Sequence, residues 1–142
     1  MIRGVHHIAI GVSDLDLALD FYRDALGFVV EQESTISADH KKAGEAVGIP
    51  GFEARMAMLV TGNIRIELWQ YSRPNQGDRR SEPQDLGYPH FALEVEDITA
   101  ECARLSLAGM TFVGPPVDFG TLKAVYGRDP FGNIIELLET VE

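Results

Sequence analysis

Two stretches of the chain, each starting at a histidine, repeat one pattern: HIAIGVSDLDLALDFYRDALGF at residues 7–28 and HFALEVEDITAECARLSLAGMTF at residues 90–112. Each stretch opens with apolar residues in strand-like alternation and reaches an aspartate seven positions after the histidine, at Asp14 and Asp97. Apolar residues then recur at helical spacing up to a glycine, Gly27 or Gly109. Aspartate is a preferred N-cap and glycine a preferred C-terminal stop, so each stretch predicts a strand followed by a helix.

The ends of the two halves also match, with GNIRIEL at residues 62–68 and GNIIEL at residues 132–137. After each helix the apolar alternation predicts three strands, at residues 28–33, 54–60 and 64–71 in the first half and at 111–113, 122–128 and 133–139 in the second. Because a duplicated unit is one supersecondary structure written twice, the chain predicts an α+β fold of two βαβββ modules. We expect one domain of residues 1–142, with modules at about 1–71 and 88–142 and a polar, exposed linker at about 72–87.

The halves differ mainly at residues 35–51, which the first half carries in addition. This insertion contains three glycines and a proline around one short amphipathic stretch, which predicts a helix at residues 39–47. We expect the insertion to be a mobile lid near the binding cleft. His40 lies within it and is interpreted as a surface or lid residue.

Composition excludes several classes of protein. The chain has 142 residues, a formal net charge of −10 and one cysteine, Cys102. The size fits one domain, and the negative charge argues against nucleic acid as a partner because phosphate backbones need a basic surface. A single cysteine excludes an intrachain disulfide, and Cys102 lies on the apolar face of the second predicted helix as a small core residue. The first residues lack the pattern of a signal peptide, and no apolar run approaches the roughly 20 residues that span a bilayer. The cytoplasm is the expected location, without a membrane partner.

Four strand residues are the candidate metal ligands: His7, Glu67, His90 and Glu136. Each is followed by an apolar residue of its strand, so strand alternation points each of the four away from the face that packs on a helix. Any one of them alone is typical of the wet face of an antiparallel sheet. The joint pattern favours a metal, because the histidines occupy equivalent places in the two halves and so do the glutamates. Two imidazoles and two carboxylates suit one divalent ion such as Zn, Ni, Co, Mn or Fe.

Three further residues lie near these ligands in the sequence. Arg65 and Trp69 share the predicted face of Glu67 and are candidates for substrate contacts, although an exposed cation and a half-buried aromatic explain them equally well. His6 precedes His7, and alternation predicts that it turns to the opposite face, toward the helix.

With these features the chain resembles the vicinal oxygen chelate superfamily, which includes glyoxalase I, methylmalonyl-CoA epimerase, extradiol dioxygenases, fosfomycin-resistance proteins and bleomycin-binding proteins. The most specific parts of the resemblance are VHHIAIGVSDLDLALDFYRDALGF at residues 5–28 and GRDPFGNIIELLE at residues 127–139. The resemblance implies that paired βαβββ modules form a half-barrel around a metal, which the substrate chelates through two neighbouring oxygens. It places the family's ligand positions on His7, Glu67, His90 and Glu136, and it implies a homodimer.

The His/Glu/His/Glu set is most similar to that of glyoxalase I. Methylmalonyl-CoA epimerases usually carry Gln where this chain has Glu67, extradiol dioxygenases use two histidines and one carboxylate, and bleomycin-binding members usually lack the set. The insertion at residues 35–51, and the absence of recognisable basic residues for glutathione carboxylates, depart from glyoxalase I.

The resemblance therefore implies a metal-dependent lyase or isomerase, lactoylglutathione lyase-like or acyl-CoA epimerase-like. Glu136 or Glu67 would be the catalytic base, and the metal would stabilise an enediolate or enolate. An extradiol-type dioxygenase and a non-catalytic protein that binds an antibiotic or another small molecule remain open alternatives.

Overall fold

The computed structural model describes residues 1–141, which divide into two compact units, the first Met1–Asp78 and the second beginning at Arg79. Glu142, the last residue of the predicted second module, lies outside the described residues. Each unit contains one unclosed sheet of parallel and antiparallel strands with a helix packed on it, so the predicted α+β class is confirmed.

The first unit contains four strands and two helices. Its elements are β1 (His7–Gly11), α1 (Leu15–Leu19) continued by a π-helical segment (Asp20–Ala25), β2 (Val29–Ile36), α2 (Lys41–Val47), β3 (Glu53–Thr61) and β4 (Ile64–Arg73). The strand order is β1-β4-β3-β2, with β1 parallel to β4 and the other pairs antiparallel. The three predicted strands that follow the helix are therefore confirmed, with ends that differ by at most three residues.

The first helix begins and ends as its sequence predicts. The carboxylate of Asp14 accepts a hydrogen bond from the Leu17 N–H at 3.1 Å, which satisfies one of the unpaired amides of the first turn. Gly27, with φ of 77°, ends it in the left-handed conformation that glycine adopts without strain. The π-helical segment was not predicted, since periodicity of apolar residues does not distinguish one wider turn from an α-helical turn.

The second unit repeats this arrangement with five strands and one helix. Its elements are β5 (His90–Glu94), α3 (Ile98–Leu107), β6 (Thr111–Phe112), β7 (Val117–Asp118), β8 (Leu122–Arg128) and β9 (Ile134–Thr140). The order is β5-β9-β8-β6, β7 also pairs with β8, and β5 is parallel to β9. Asp97 caps α3, and Ile98 and Leu105 are its buried residues. The short strand β7 was not predicted.

The sheet registers of the two units are equivalent around the candidate ligands. In the first unit Ala9 of β1 lies opposite Glu67 of β4, and in the second Ala92 of β5 lies opposite Glu136 of β9. Each histidine is thus two residues before the position that faces the glutamate. The duplication predicted from the sequence is present in the hydrogen-bonded register as well as in the order of elements.

The inserted segment contains the predicted helix, α2, and His40 is its N-cap, with Nδ1 accepting a hydrogen bond from the Ala43 N–H at 3.2 Å. The predicted insertion starts too early, because Thr35 and Ile36 belong to β2. Gly44 packs tightly, since a Cβ there would lie 3.1 Å from the Pro50 Cα. That the inserted segment acts as a mobile lid stays a prediction.

The segment predicted as a linker is exposed over most of its length, but hydrogen bonds hold it at its start and again at residues 81–82. Its first two residues, Ser72 and Arg73, extend β4. Farther along, the guanidinium of Arg128 donates hydrogen bonds to the Ser81 carbonyl at 3.1 Å and to the Glu82 carboxylate at 3.0 Å. None of the helices formed by residues 1–141 is both long and apolar enough to cross a membrane.

Candidate metal centre

His7 and Glu67 form a close pair on neighbouring strands of the first unit. His7 begins β1 and Glu67 lies in the middle of β4, where Ile66 and Leu68 on either side of it are fully buried on the opposite face. The His7 Nε2 lies 3.2 Å from the Glu67 Oε2. The glutamate side chain is only 14% exposed, so its carboxylate is held largely away from water.

Two neighbouring side chains hold this pair. The indole N–H of Trp69 donates a hydrogen bond to the Glu67 Oε2 at 2.9 Å. The Nδ1 of His6 lies 2.9 Å from the Nδ1 of His7, which leaves the Nε2 of His7 directed at Glu67. The expectation that His6 turns toward the helix is wrong: it precedes β1, where strand alternation does not apply, and its side chain is exposed.

An aromatic cluster continues from the pair along the first sheet. The rings of Trp69 and Tyr71 stack with centroids 5.5 Å apart and an interplanar angle of 24°, and Phe52 lies against both, 5.4 Å from Tyr71. Burial, and after it the negative charge of Glu67, raises the pKa of Tyr71 above its ordinary value of 10.0. Its phenol is therefore neutral throughout the physiological pH range.

Arg65 shares the face of Glu67, as predicted, but its guanidinium is engaged. It donates two hydrogen bonds to the Glu31 carboxylate, from Nε at 2.7 Å and from a terminal nitrogen at 3.1 Å. This fork lowers the pKa of Glu31 and raises that of Arg65. A role for Arg65 in substrate binding stays a prediction, and it would require the guanidinium to leave Glu31.

His90 and Glu136 form the corresponding pair of the second unit. The His90 Nε2 lies 3.2 Å from the Glu136 Oε2, the same separation as in the first pair. Tyr126 of β8 lies directly opposite Glu136, and its hydroxyl is 3.4 Å from the His90 Nε2, with the two rings 4.7 Å apart. Tyr126 therefore lies beside His90, and it is not among the site residues predicted from the sequence.

In both units a strand side chain also accepts a hydrogen bond from the first amide of the helix. The Leu15 N–H at the start of α1 donates to the Gln70 Oε1 at 2.8 Å, and the Ile98 N–H at the start of α3 donates to the Glu139 Oε2 at 3.0 Å. Because the side chains of neighbouring strand residues point to opposite faces, these caps lie on the helix side of the sheet. Each helix start is thus tied to the strand that carries the candidate glutamate.

The structure brings the candidate ligands together as two His–Glu pairs, one in each unit. Among the described residues of either unit, no third histidine, cysteine, aspartate or glutamate joins its pair in a group able to hold a metal ion. A pair supplies two donor atoms, fewer than a tightly bound divalent ion requires.

Several residues around the pairs were not predicted, although the sequence contains a pattern that indicates them. Gln70 and Glu139 both follow the candidate glutamate by three positions, so aligning the two halves would have paired them. Tyr126 lies on the same face of its hairpin as Glu136, which alternation from the Asp129–Asn133 turn would have indicated. The contact between Trp69 and Glu67 left no such signal, because it depends on side-chain rotamers.

The family model described as Glyoxalase/Bleomycin resistance protein/Dioxygenase superfamily matches residues 4–137. The chain belongs to this superfamily. Among solved structures, a glyoxalase family protein from Bacillus cereus is 29% identical, with a TM-score of 0.91 over 100% of this chain and 97% of that one. The fosfomycin resistance protein FosX from Listeria monocytogenes, solved with Mn(II) and sulfate, is 16% identical with a TM-score of 0.66 over 99% and 95% of the two chains, which shows a shared fold.

Several relatives carry names of enzymes, and two of them illustrate the range. A 2-epi-5-epi-valiolone epimerase of Actinomyces is 29% identical over 94% of this chain and 78% of its own length. The lactoylglutathione lyase of Haemophilus influenzae is 26% identical over 94% of this chain and 90% of its own length. The superfamily thus includes lyases and epimerases that align with this chain over nearly its whole length.

Proposed function

We propose that this protein is a divalent-metal-dependent lyase or isomerase that moves a proton on a carbon next to a carbonyl group. The observation that carries the proposal is the equivalence of the two His–Glu pairs, each with its nitrogen and oxygen 3.2 Å apart and each in the same sheet register. The relatives named as a lyase and an epimerase support it. FosX, which shares the fold, holds Mn(II).

The residues present fit a metal by their chemistry and spacing. Imidazole nitrogen and carboxylate oxygen bind Zn²⁺ at about 2.0–2.2 Å, so two neighbouring ligand atoms on one ion are roughly 3 Å apart. The atoms of each pair already have that separation. We propose His7, Glu67, His90 and Glu136 as the ligands of one divalent ion, with Zn, Ni, Co, Mn or Fe as the candidates that this donor set accepts.

The candidate ligands have different roles in proton transfer. A bound ion supplies Lewis-acid polarisation of a substrate oxygen. Glu136 and Glu67 are the two bases the site offers, and one of them removes the proton from carbon and returns it to the same or the neighbouring carbon. The substrate class is a small molecule with two neighbouring oxygens.

We further propose that the chain acts as one domain and as a homodimer. The cytoplasmic location stays a prediction.

The test follows proton exchange in heavy water, because that step is common to lyases, isomerases and epimerases of this kind. Protein freed of metal with a chelator is reloaded with each candidate ion and incubated with hemithioacetals of 2-oxoaldehydes, acyl thioesters and 2-hydroxyketones. We expect NMR to show metal-dependent incorporation of deuterium next to a carbonyl. Removing a general base typically costs 10²–10⁴-fold, so Glu136→Gln or Glu67→Gln should slow exchange by about that factor at saturating metal.

Glu94→Gln is the matched control, since Glu94 lies on the same face of β5 as His90 and has no proposed role. Its exchange rate should equal that of the wild type. Oxygen consumption with Fe(II) and a catechol, in place of proton exchange, would identify a dioxygenase. Tight binding of a small molecule by metal-free protein, without any turnover, would identify a binding protein, and either result contradicts the proposal.

A further inference from the structure

Trp69 is the only tryptophan in the chain, and it contacts one candidate ligand while presenting its ring to the same face of the sheet. We propose that Trp69 is the specificity-determining residue of the site: it positions Glu67 through its indole N–H, and its ring receives a flat, apolar part of the substrate next to the chelating oxygens. This inference rests on the proposed function and deepens it by assigning a substrate class.

The positioning role follows from the hydrogen bond. The Glu67 Oε2 accepts the Trp69 N–H at 2.9 Å and lies 3.2 Å from the His7 Nε2. Partners of this kind fix the orientation of a metal ligand, and losing one typically weakens metal affinity by 10–100-fold. In the second unit the partner near the pair is Tyr126, whose hydroxyl faces the histidine and not the glutamate. A neighbouring side chain thus contacts the histidine in both units, and in the first unit Trp69 also holds the glutamate.

The ring of Trp69 belongs to an apolar surface of the sheet. It stacks on Tyr71, and Phe52 packs at an angle against both rings. On the neighbouring strand, Met56 lies directly opposite Trp69 and Met58 directly opposite Glu67. Methionine and aromatic side chains favour flat, polarizable groups, because sulfur–ring and stacked ring contacts are stabilising.

Charge on the same sheet argues against an anionic substrate arm at this place. The three arginines carried by β3 and β4 are each paired with a carboxylate: Arg55 with Asp16, Arg65 with Glu31 and Arg73 with Glu53. A glutathione arm brings carboxylates that need cationic partners. A ring or another planar, uncharged group needs none, and it is the group that this surface accepts.

Two variants separate the two roles of Trp69. Trp69→Phe keeps a flat ring but removes the N–H donor, whereas Trp69→Leu removes both while keeping an apolar side chain of moderate volume. Phe119→Ala is the control, since Phe119 is a 65% exposed aromatic residue on the loop that precedes β8. Circular dichroism and thermal unfolding establish that each variant is folded before it is used.

The first measurement is metal affinity, obtained by competition with a chromophoric chelator. We expect Trp69→Phe and Trp69→Leu to bind metal roughly 10–100-fold more weakly than the wild type, and Phe119→Ala to bind it equally well. In the wild type, Co²⁺ or Ni²⁺ should also quench the fluorescence of Trp69. Wild-type affinity in Trp69→Phe overturns the positioning role.

The second measurement compares two chelators at saturating metal. Acetohydroxamate and benzohydroxamate present the same two neighbouring oxygens and differ only in a methyl or a phenyl group. The preference for benzohydroxamate should fall by about three- to tenfold in Trp69→Leu and persist in Trp69→Phe, because a stacked ring contact is lost only in the former. An unchanged preference in Trp69→Leu overturns the substrate class.

The two proposals fail in different ways. A wild-type protein that binds no divalent metal refutes the proposed function, and the role of Trp69 with it. A wild-type protein that binds metal and exchanges protons, with both Trp69 variants matching it in metal affinity and chelator preference, leaves the proposed function standing and refutes only the role of Trp69.

Discussion

Gly127 lies at a position of the second unit that has no room for a side chain. It lies in β8 opposite Phe112 of β6, where the two strands pass closely. A Cβ added there would meet the Met110 Cε at 2.7 Å, a ring carbon of Phe112 at 2.8 Å and the Thr111 carbonyl oxygen at 2.8 Å. Both side chains and backbone would have to move to accept it.

We therefore predict that Gly127→Ala destabilises the protein by about 1–3 kcal/mol, the usual cost of overpacking a well-packed core. The free energy of unfolding from urea titration measures it. Gly62→Ala is the matched control, since a Cβ on Gly62 would meet no atom within 4 Å. Equal changes for the two substitutions would mean that the close approach at Gly127 relaxes without cost.

At the scale of residues, the sequence indicated the four candidate ligands but not the side chains that contact them. Strand alternation has a period of two, so the apolar residues at alternate positions of each strand were enough to place His7, Glu67, His90 and Glu136 on the face away from the helices. The bond from Trp69 to Glu67 depends on rotamers and on the neighbouring strand, which alternation does not describe. The same holds for the close approach at Gly127, where the sequence shows only a glycine in a strand.

At the level of elements, helix α3 is anchored to its sheet by one carboxylate. Glu139 of β9 accepts a hydrogen bond from the Ile98 N–H at 3.0 Å and pairs with the Lys123 ammonium at 3.1 Å. The Ile98 amide first, and Lys123 after it, lower the pKa of Glu139 from its ordinary value of 4.5. The first unit makes the same contact to α1 with the uncharged Gln70.

This difference predicts a pH dependence. Because the folded state lowers the pKa of Glu139, its charge stabilises the fold above about pH 4.5, and this contribution is lost as the pH falls through the lowered pKa. Glu139→Gln should therefore be less stable than the wild type near neutral pH, with the gap closing in acid. Urea unfolding at a series of pH values measures it. A gap that is constant with pH would show that the charge is not responsible.

The elements themselves were largely predictable, and the exceptions have physical causes. Asp14 and Asp97 lie where caps were expected, because an aspartate before an apolar period is a strong local signal. The strand β7, Val117–Asp118, was missed because two residues carry no measurable periodicity. The π-helical segment Asp20–Ala25 was missed because it leaves Phe21 and Tyr22 buried, as an α-helix would.

At the scale of the whole molecule, the sheet of each unit, taken by itself, is unclosed. The first sheet ends in β1 and β2, and the second ends in β5 and in β6 and β7, which both pair with β8. Exposed edges are available for pairing with another chain. We therefore predict a homodimer, measured by sedimentation of the purified protein, and a monomer at micromolar concentration would contradict this.

In such a dimer a mixture of His7→Ala and His90→Ala chains reports how the sites are built. If each site takes its two His–Glu pairs from different chains, one site of the mixed dimer keeps all four ligands and activity returns. If each site is made within one chain, both sites lack a histidine and the mixture stays inactive. Either result assigns the pairing of the two units.

The central claim is that His7, Glu67, His90 and Glu136 bind one divalent metal, and elemental analysis of protein purified without chelator tests it most directly. Four ligands of this kind predict about one divalent ion per chain in the wild type and in Glu94→Gln, since that substitution leaves all four in place. His7→Ala and Glu136→Ala should retain far less, because each removes one donor. Equal metal content in the wild type, His7→Ala and Glu136→Ala would contradict the claim.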